Sequence, residues 1–233
     1  MRHRSRSDAT HDKEHGESGP VPVKDRYRIV VMGAAGVGKT CIINRFLYES
    51  FVAKYKATVE ELHQGEYSVN GATITLDILD TTGSYAFPAM RKLSIAHGDA
   101  FLLVYSLEDA ESFSEVKELR QQIVDSKLAN DPSKGIPPIV IVGNKLDLKE
   151  DDVEKEAVSK ESLQNLVSSE WMHGYIEASA KEDININAIF KELLRQAKVQ
   201  LLSSPAIIRK RRQSFPASAM KNKKASADSC RVS

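Results

Sequence analysis

The sequence predicts an α/β fold in which a mostly parallel sheet carries helices on both faces. Phe101-Leu102-Leu103-Val104-Tyr105 and Ile139-Val140-Ile141-Val142-Gly143 are continuous apolar runs, the pattern of strands buried on both sides. Segments with apolar residues at helical spacing alternate with them. Residues 112–127 place Phe113, Val116, Leu119 and Ile123 on one stripe, and residues 186–202 do the same with Ile186, Ile189, Phe190, Leu193, Leu194, Ala197 and Leu201. Strand alternating with helix is the signature of βαβ units.

The other elements follow in chain order. Residues 1–24 are rich in His, Ser, Gly, Pro and mixed charge without apolar period, and they read as a disordered arm. Tyr27-Arg28-Ile29-Val30-Val31-Met32 is a β-rich run that ends at Gly33. Residues 39–48 read as a helix with Ile42, Ile43, Phe46 and Leu47 on one face. Residues 61–69 and 72–80 are strands separated by Asn70-Gly71, a hairpin signal that pairs them antiparallel. The domain is expected over residues 25–203 and a basic tail over 204–233.

Composition narrows the classes. Of 33 basic and 32 acidic residues, residues 205–233 hold eight and one, and residues 1–24 hold five and four. Residues 25–204 are left with 20 and 27, a net −7 beside a basic tail. Cys41 and Cys230, far apart and in unlike contexts, argue against a disulfide framework and for a reducing compartment. The first residues lack an apolar signal core and a Met-Gly start, so secretion and N-myristoylation are not expected. No run of apolar residues is long enough for a spanning helix.

Gly33-Ala34-Ala35-Gly36-Val37-Gly38-Lys39-Thr40 fits G-x-x-x-x-G-K-[ST] between a strand and a helix, the context in which this pattern cradles phosphate. A chance match is expected in on the order of 1% of chains of this length, before the context is counted. The glycines let consecutive backbone N–H groups turn toward phosphate oxygens, and the following helix adds its positive end. Lys39 is placed to neutralise β and γ phosphates, and the Thr40 hydroxyl to ligate Mg²⁺, a hard cation that prefers oxygen. Gly33, Ala35, Gly36, Val37, Gly38, Lys39, Thr40 and Cys41 are therefore expected against a nucleotide.

Asn144-Lys145-Leu146-Asp147 follows a buried strand, at the carboxyl edge where open α/β sheets bind ligands. Asp147 can accept two hydrogen bonds, from the ring NH and the exocyclic amine of guanine. Adenine lacks that donor pair, so the unpaired carboxylate would penalise ATP. An Asn-Lys-x-Asp is common in turns and gains weight here from its place downstream of a phosphate loop.

With these motifs in place, residues 25–202 resemble a Ras-like small GTPase, a P-loop NTPase fold with six strands in its sheet. The resemblance implies that Thr58 binds Mg²⁺ and the γ phosphate. It likewise implies that Asp80, opening Asp80-Thr81-Thr82-Gly83, holds Mg²⁺ through water, and that the Gly83 N–H meets the γ phosphate. Phe51 would pack edge-on to the base, and Ser179-Ala180-Lys181 would complete the pocket of Asn144, Lys145 and Asp147. Residues bearing on hydrolysis would be Lys39, Thr58, Gly83 and Ser84. The run from Leu79 to Arg91, with Phe87-Pro88-Ala89-Met90, is most similar to the Di-Ras and Dexras-type branch.

Two departures matter. Ras-like hydrolysis relies on a Gln just after Asp-x-x-Gly to orient water, and this chain has Ser84, too short to span the same distance. Ala35 stands where Ras has Gly, and its methyl would crowd an inserted arginine finger. The expectation is a slow GTPase, with a GTP-loaded scaffold of negligible hydrolysis as the alternative. A P-loop ATPase or kinase is disfavoured by Asp147.

Partners are implied as well. Effectors are expected at residues 55–61, including Tyr55, and along the strand that follows, which should form a sheet edge. Glu60 and Glu61 could pair with basic effectors. The resemblance also implies an exchange factor, an activating protein and a monomer. Cys230-Arg231-Val232-Ser233 fits C-a-a-X loosely and points to prenylation of Cys230. The clusters Arg209–Arg212 and Lys221–Lys224 would supply the second, electrostatic signal to an anionic membrane. Nuclear import or RNA binding is the competing use of those clusters, but no aromatic interleaving supports RNA. The cytoplasmic face of the plasma membrane is the expected location, with a cytosolic or nuclear pool. Ser214, after Arg211-Arg212-Gln213, is a candidate for phosphorylation.

Overall fold

The computed structural model describes residues 25–54, 56–69, 72–83, 88–148 and 160–197. The N-terminal arm, Tyr55, the Asn70-Gly71 turn, Ser84, Ser214 and Cys230 lie outside the described residues, as do the basic clusters.

Six strands form one sheet in the order β2-β3-β1-β4-β5-β6. They are β1 (Arg26–Met32), β2 (Glu61–Val69), β3 (Ala72–Asp80), β4 (Ala100–Ser106), β5 (Ile139–Asn144) and β6 (Gly174–Glu177). Every neighbouring pair is parallel except β2 and β3, whose antiparallel register runs from Glu61 opposite Asp80 to Val69 opposite Ala72. β2 therefore lies at a sheet edge, as expected. The helices are α1 (Lys39–Tyr48), α2 (Pro88–His97), α3 (Ala110–Asn130), α4 (Lys160–Asn165) and α5 (Ile186–Gln196). None of the described helices is long and apolar enough to cross a membrane.

Side-chain alternation along the strands splits the core into two layers. Ile29 and Val31 of β1 join Leu102, Val104, Val140 and Val142 beneath α1 and α5, where Phe46 and Phe190 stack with centroids 3.7 Å apart. Val30 and Met32 face the other way with Phe101, Leu103, Ile139 and Ile141, beneath Phe113, Val116 and Ile123 of α3. All residues of β4 and β5 are buried, which is why those segments read as unbroken apolar runs.

This double cover fixes the sheet's carboxyl edge. β1 ends in the glycine loop, β3 in Asp80, β5 in Asn144 and β6 just before Ala178 and Ser179. Four parallel strands thus deliver their polar ends to one rim, while the chain departs from β1 in opposite directions along the sheet.

Candidate nucleotide-binding site

Met32 ends β1, and the chain turns through Gly33, Gly36 and Gly38 at φ of 137°, 75° and 101° before α1 begins. Gly38 precedes the helix in left-handed backbone and, being glycine, offers no side chain to cap the first turn. A Cβ on Gly38 would run into the Asn144 side-chain amide, so glycine is needed here for space as well as for conformation. The outcome is a helix N-terminus whose amide groups are open to an anion.

Lys39 is buried and folds back over the loop, donating from Nζ to the carbonyls of Gly33 (2.8 Å) and Ala34 (2.7 Å). Burial lowers its pKa to about 8, against the opposing pull of the Asp80 and Glu115 carboxylates. An ammonium held at such a cost is a counter-charge waiting for an anion.

Beside it, three oxygen-bearing side chains from separate elements converge. Thr40 Oγ1 donates to Asp80 Oδ2 at 2.6 Å and lies 2.9 Å from Thr58 Oγ1. Asp80 is fully buried, and its Oδ1 has no hydrogen-bond partner among the described residues. Burial raises its pKa, opposed by the Thr40 hydroxyl and by Lys39. Two hydroxyls and an orphaned carboxylate oxygen form a donor set suited to a small hard cation such as Mg²⁺. Gly83 closes this end: a Cβ there would collide with the backbone of Ala34 and Ala35, so the chain after β3 lies directly on the glycine loop.

At the other end, the buried Asn144 spends its amide on the chain itself. Its Nδ2 donates to the Val37 carbonyl at 2.8 Å, and its Oδ1 accepts from the Ala180 N–H at 3.2 Å. Asn144, expected against the nucleotide, acts as a strut between the glycine loop and the 179–181 turn. Asp147 Oδ1 accepts from Ser179 Oγ at 2.6 Å, and its Oδ2 lies 3.4 Å from Lys181 Nζ. Burial works to raise the Asp147 pKa, but the Ser179 and Lys181 contacts outweigh it and the carboxyl is lowered overall, held as an ionised acceptor. Lys145 is in left-handed backbone at φ 69°.

These groups surround one cleft of about 900 Å³, lined among others by Ala35, Cys41, Phe51, Thr58, Gly83, Asn144, Asp147 and Lys181. Its volume is ample for a nucleotide. Phe51 is half-buried on its wall with the Arg45 guanidinium 5.9 Å from the ring centroid. The Cys41 thiol, raised in pKa by burial and then by Asp80, faces the Val52 carbonyl at 3.9 Å.

Residues 28–199 match the Ras family. The chain belongs to the Ras family. It is similar to the GTP-binding protein Rhes of Mus musculus and of Rattus norvegicus, each 44% identical over 190 residues that cover 80% of this chain and 70% of the relative. Rhes of Homo sapiens is 44% identical over 193 residues, covering 82% and 71%. Proteins of this family are GTP-binding signalling switches and GTP hydrolases that work with effectors, exchange factors and activating proteins.

Within this Ras-family domain the sequence reading missed two positioning side chains. Arg45 of α1 donates to the carbonyls of Ala180 (2.9 Å) and Lys181 (2.8 Å) and so fixes the turn beside Asp147. Its only sequence signal was a cation in the last turn of a helix. Ser94 of α2 donates to Glu60 at 2.9 Å, so Glu60, expected to face basic effectors, is engaged internally, whereas Glu61 stays exposed.

Lys39 also gives the site a pH signature. Its folded pKa of about 8 lies below the unfolded value, so the unfolded chain binds more protons across the interval. This group's contribution to stability therefore rises with pH from about 8 to about 10 and is a cost below that range. A polyanion bound beside Lys39 would remove the cost by restoring the ammonium. Calorimetry of guanine-nucleotide binding in buffers of differing ionisation enthalpy should show greater proton uptake at about pH 8.5 than at about pH 7. Equal uptake at both would contradict the buried, depressed Lys39.

Proposed function

We propose that this chain is a guanine-nucleotide switch that binds GTP and GDP with Mg²⁺, hydrolyses GTP slowly and works at the cytoplasmic face of the plasma membrane. The observation that carries the reading is the convergence of Thr40, Thr58 and Asp80 beside the buried Lys39, at the mouth of an uncapped helix.

The glycine-loop amides and Lys39 hold the phosphates, and Asp147, kept ionised, accepts from guanine's ring NH and exocyclic amine. Ser179, Ala180 and Lys181 shape that end of the pocket, and Phe51 flanks the base. Thr40 and Thr58 hold Mg²⁺ directly and Asp80 holds it through water; when bound, the ion offsets charge on the phosphate oxygens. The Gly83 N–H, resting on the glycine loop, meets the γ phosphate, so loss of that phosphate frees Thr58 and Gly83.

Slow hydrolysis rests on Ser84, which lacks the reach of a glutamine, and on Ala35, exposed at the rim where an arginine finger would enter. Ala35 also favours the second reading, a largely GTP-loaded effector-binding module with negligible turnover. The Di-Ras and Dexras-type branch remains part of the proposal on the strength of Phe87-Pro88-Ala89-Met90. Effectors meet residues 55–61 and the open edge of β2, where unpaired backbone groups can accept a partner strand. The protein acts as a monomer without nucleic acid, held to anionic lipid by its basic clusters and a prenyl group on Cys230.

Single-turnover hydrolysis after loading with GTP and Mg²⁺ tests the enzyme reading. The expected rate is below the roughly 10⁻⁴ s⁻¹ scale of Ras itself, and Ser84→Gln should raise it by about tenfold or more. A wild-type rate on the Ras scale would refute the role given to Ser84. For the membrane reading, Cys230→Ser should shift the full chain from the membrane fraction to the soluble one, and an unchanged distribution would remove the lipid claim.

A further inference from the structure

Thr58, Val59, Glu60 and Glu61 alternate as an extended chain does: Thr58 and Glu60 are part-buried, whereas Val59 is 86% exposed and Glu61 also faces solvent. The two inward residues meet different parts of the domain. Thr58 joins Thr40 and Asp80, while Glu60 reaches α2, where Ser94 Oγ lies 2.9 Å from Glu60 Oε1. Ser94 is itself buried, and its Oγ also lies 2.9 Å from the Met90 carbonyl, one turn back in α2.

A serine hydroxyl carries one hydrogen, so these two acceptors compete for it. With Glu60 seated, the carboxylate is the stronger acceptor and receives the hydrogen bond. With Glu60 withdrawn, the hydroxyl turns to its own helix carbonyl, and no buried donor is left unmade. Ser94 therefore has two satisfied states and can release the loop without the penalty of an orphaned polar group.

We propose that Ser94 is a positioning residue that latches the Thr58 loop to α2 through Glu60, so that engagement of Thr58 at the cation site and the position of α2 change together. The latch deepens the guanine-nucleotide reading above and rests on it. It assigns to one hydroxyl the coupling between the segment that carries Thr58 and the helix that follows Gly83. It also withdraws Glu60 from partners, which then meet Val59 and Glu61 beside Thr58.

The test uses the full chain loaded with Mg²⁺ and a non-hydrolysable GTP analogue. Phosphorus NMR reads the populations with Thr58 engaged and disengaged from the shifts of the bound phosphates. Ser94→Ala and Glu60→Ala should each move the ratio toward the disengaged state by about five- to tenfold, the scale of one hydrogen bond to a charged acceptor partly replaced by the Met90 carbonyl. Ser94→Thr, which keeps the hydroxyl, should stay near wild type. A wild-type ratio in Ser94→Ala, or a Ser94→Thr ratio displaced as far as that of Ser94→Ala, overturns the latch. Should the Ser94 variants fail to fold, Glu60→Ala in the exposed loop decides alone, and an unchanged ratio there overturns the proposal. If the wild-type chain takes up neither GDP nor the analogue, the nucleotide reading itself has failed and the latch falls with it. That result is seen in the loading step, before any ratio is measured.

Discussion

The Asn144 side-chain amide holds the site together. It stands at the end of β5, a strand buried on both faces, and reaches the Val37 carbonyl in one direction and the Ala180 N–H in the other. Both partners are backbone groups in irregular segments that have no ladder of their own, so a buried side chain must satisfy them. The glycine loop is shaped to admit this amide, because any side chain on Gly38 would occupy its place. The glycine loop and the 179–181 turn are thereby tied to each other and to the sheet, and Arg45 braces the same turn from α1.

The other half of the site is built differently. Thr58 and Gly83 reach the glycine loop from segments outside the sheet, and among the described residues the contacts that seat them include a pair of hydroxyls, a close backbone approach and the Ser94 to Glu60 bond. A half braced through Asn144 facing a half that can be released is the arrangement the proposed nucleotide-dependent switch requires. Differential contacts must be concentrated where the two states differ. Lys39 and Asp80 are both buried and each is shifted by burial against its charged form, a cost that an ion of opposite charge would relieve.

Much of this was legible because the chemistry is local. The glycine run needs its residues in sequence, and β4 and β5 announce themselves because both faces are buried. The strands Glu61–Val69 and Ala72–Asp80 have the bounds their turn signal predicted. What escaped was short or long-range. β6 is four residues long, three of them only part-buried, too brief for any period to show. α4 spans six residues before a wide turn at Leu166–Glu170, and its only fully described burial is Leu163. α2 hides because its buried positions are Ser94 and Ile95 while Met90 and Leu93 are exposed. Arg45 and Ser94 act across 135 and 34 residues, and nothing in their neighbours foretells the partner.

The dissociation rate of GDP from Asn144→Ala, measured against wild type at fixed Mg²⁺, tests the strut directly. Removing the amide strands the Val37 carbonyl and the Ala180 N–H in a buried setting, and the account predicts release faster by about a hundredfold, as expected for two unmade buried hydrogen bonds. Release within about threefold of wild type in a folded variant would mean that the two loops hold their positions without Asn144, and would contradict the account.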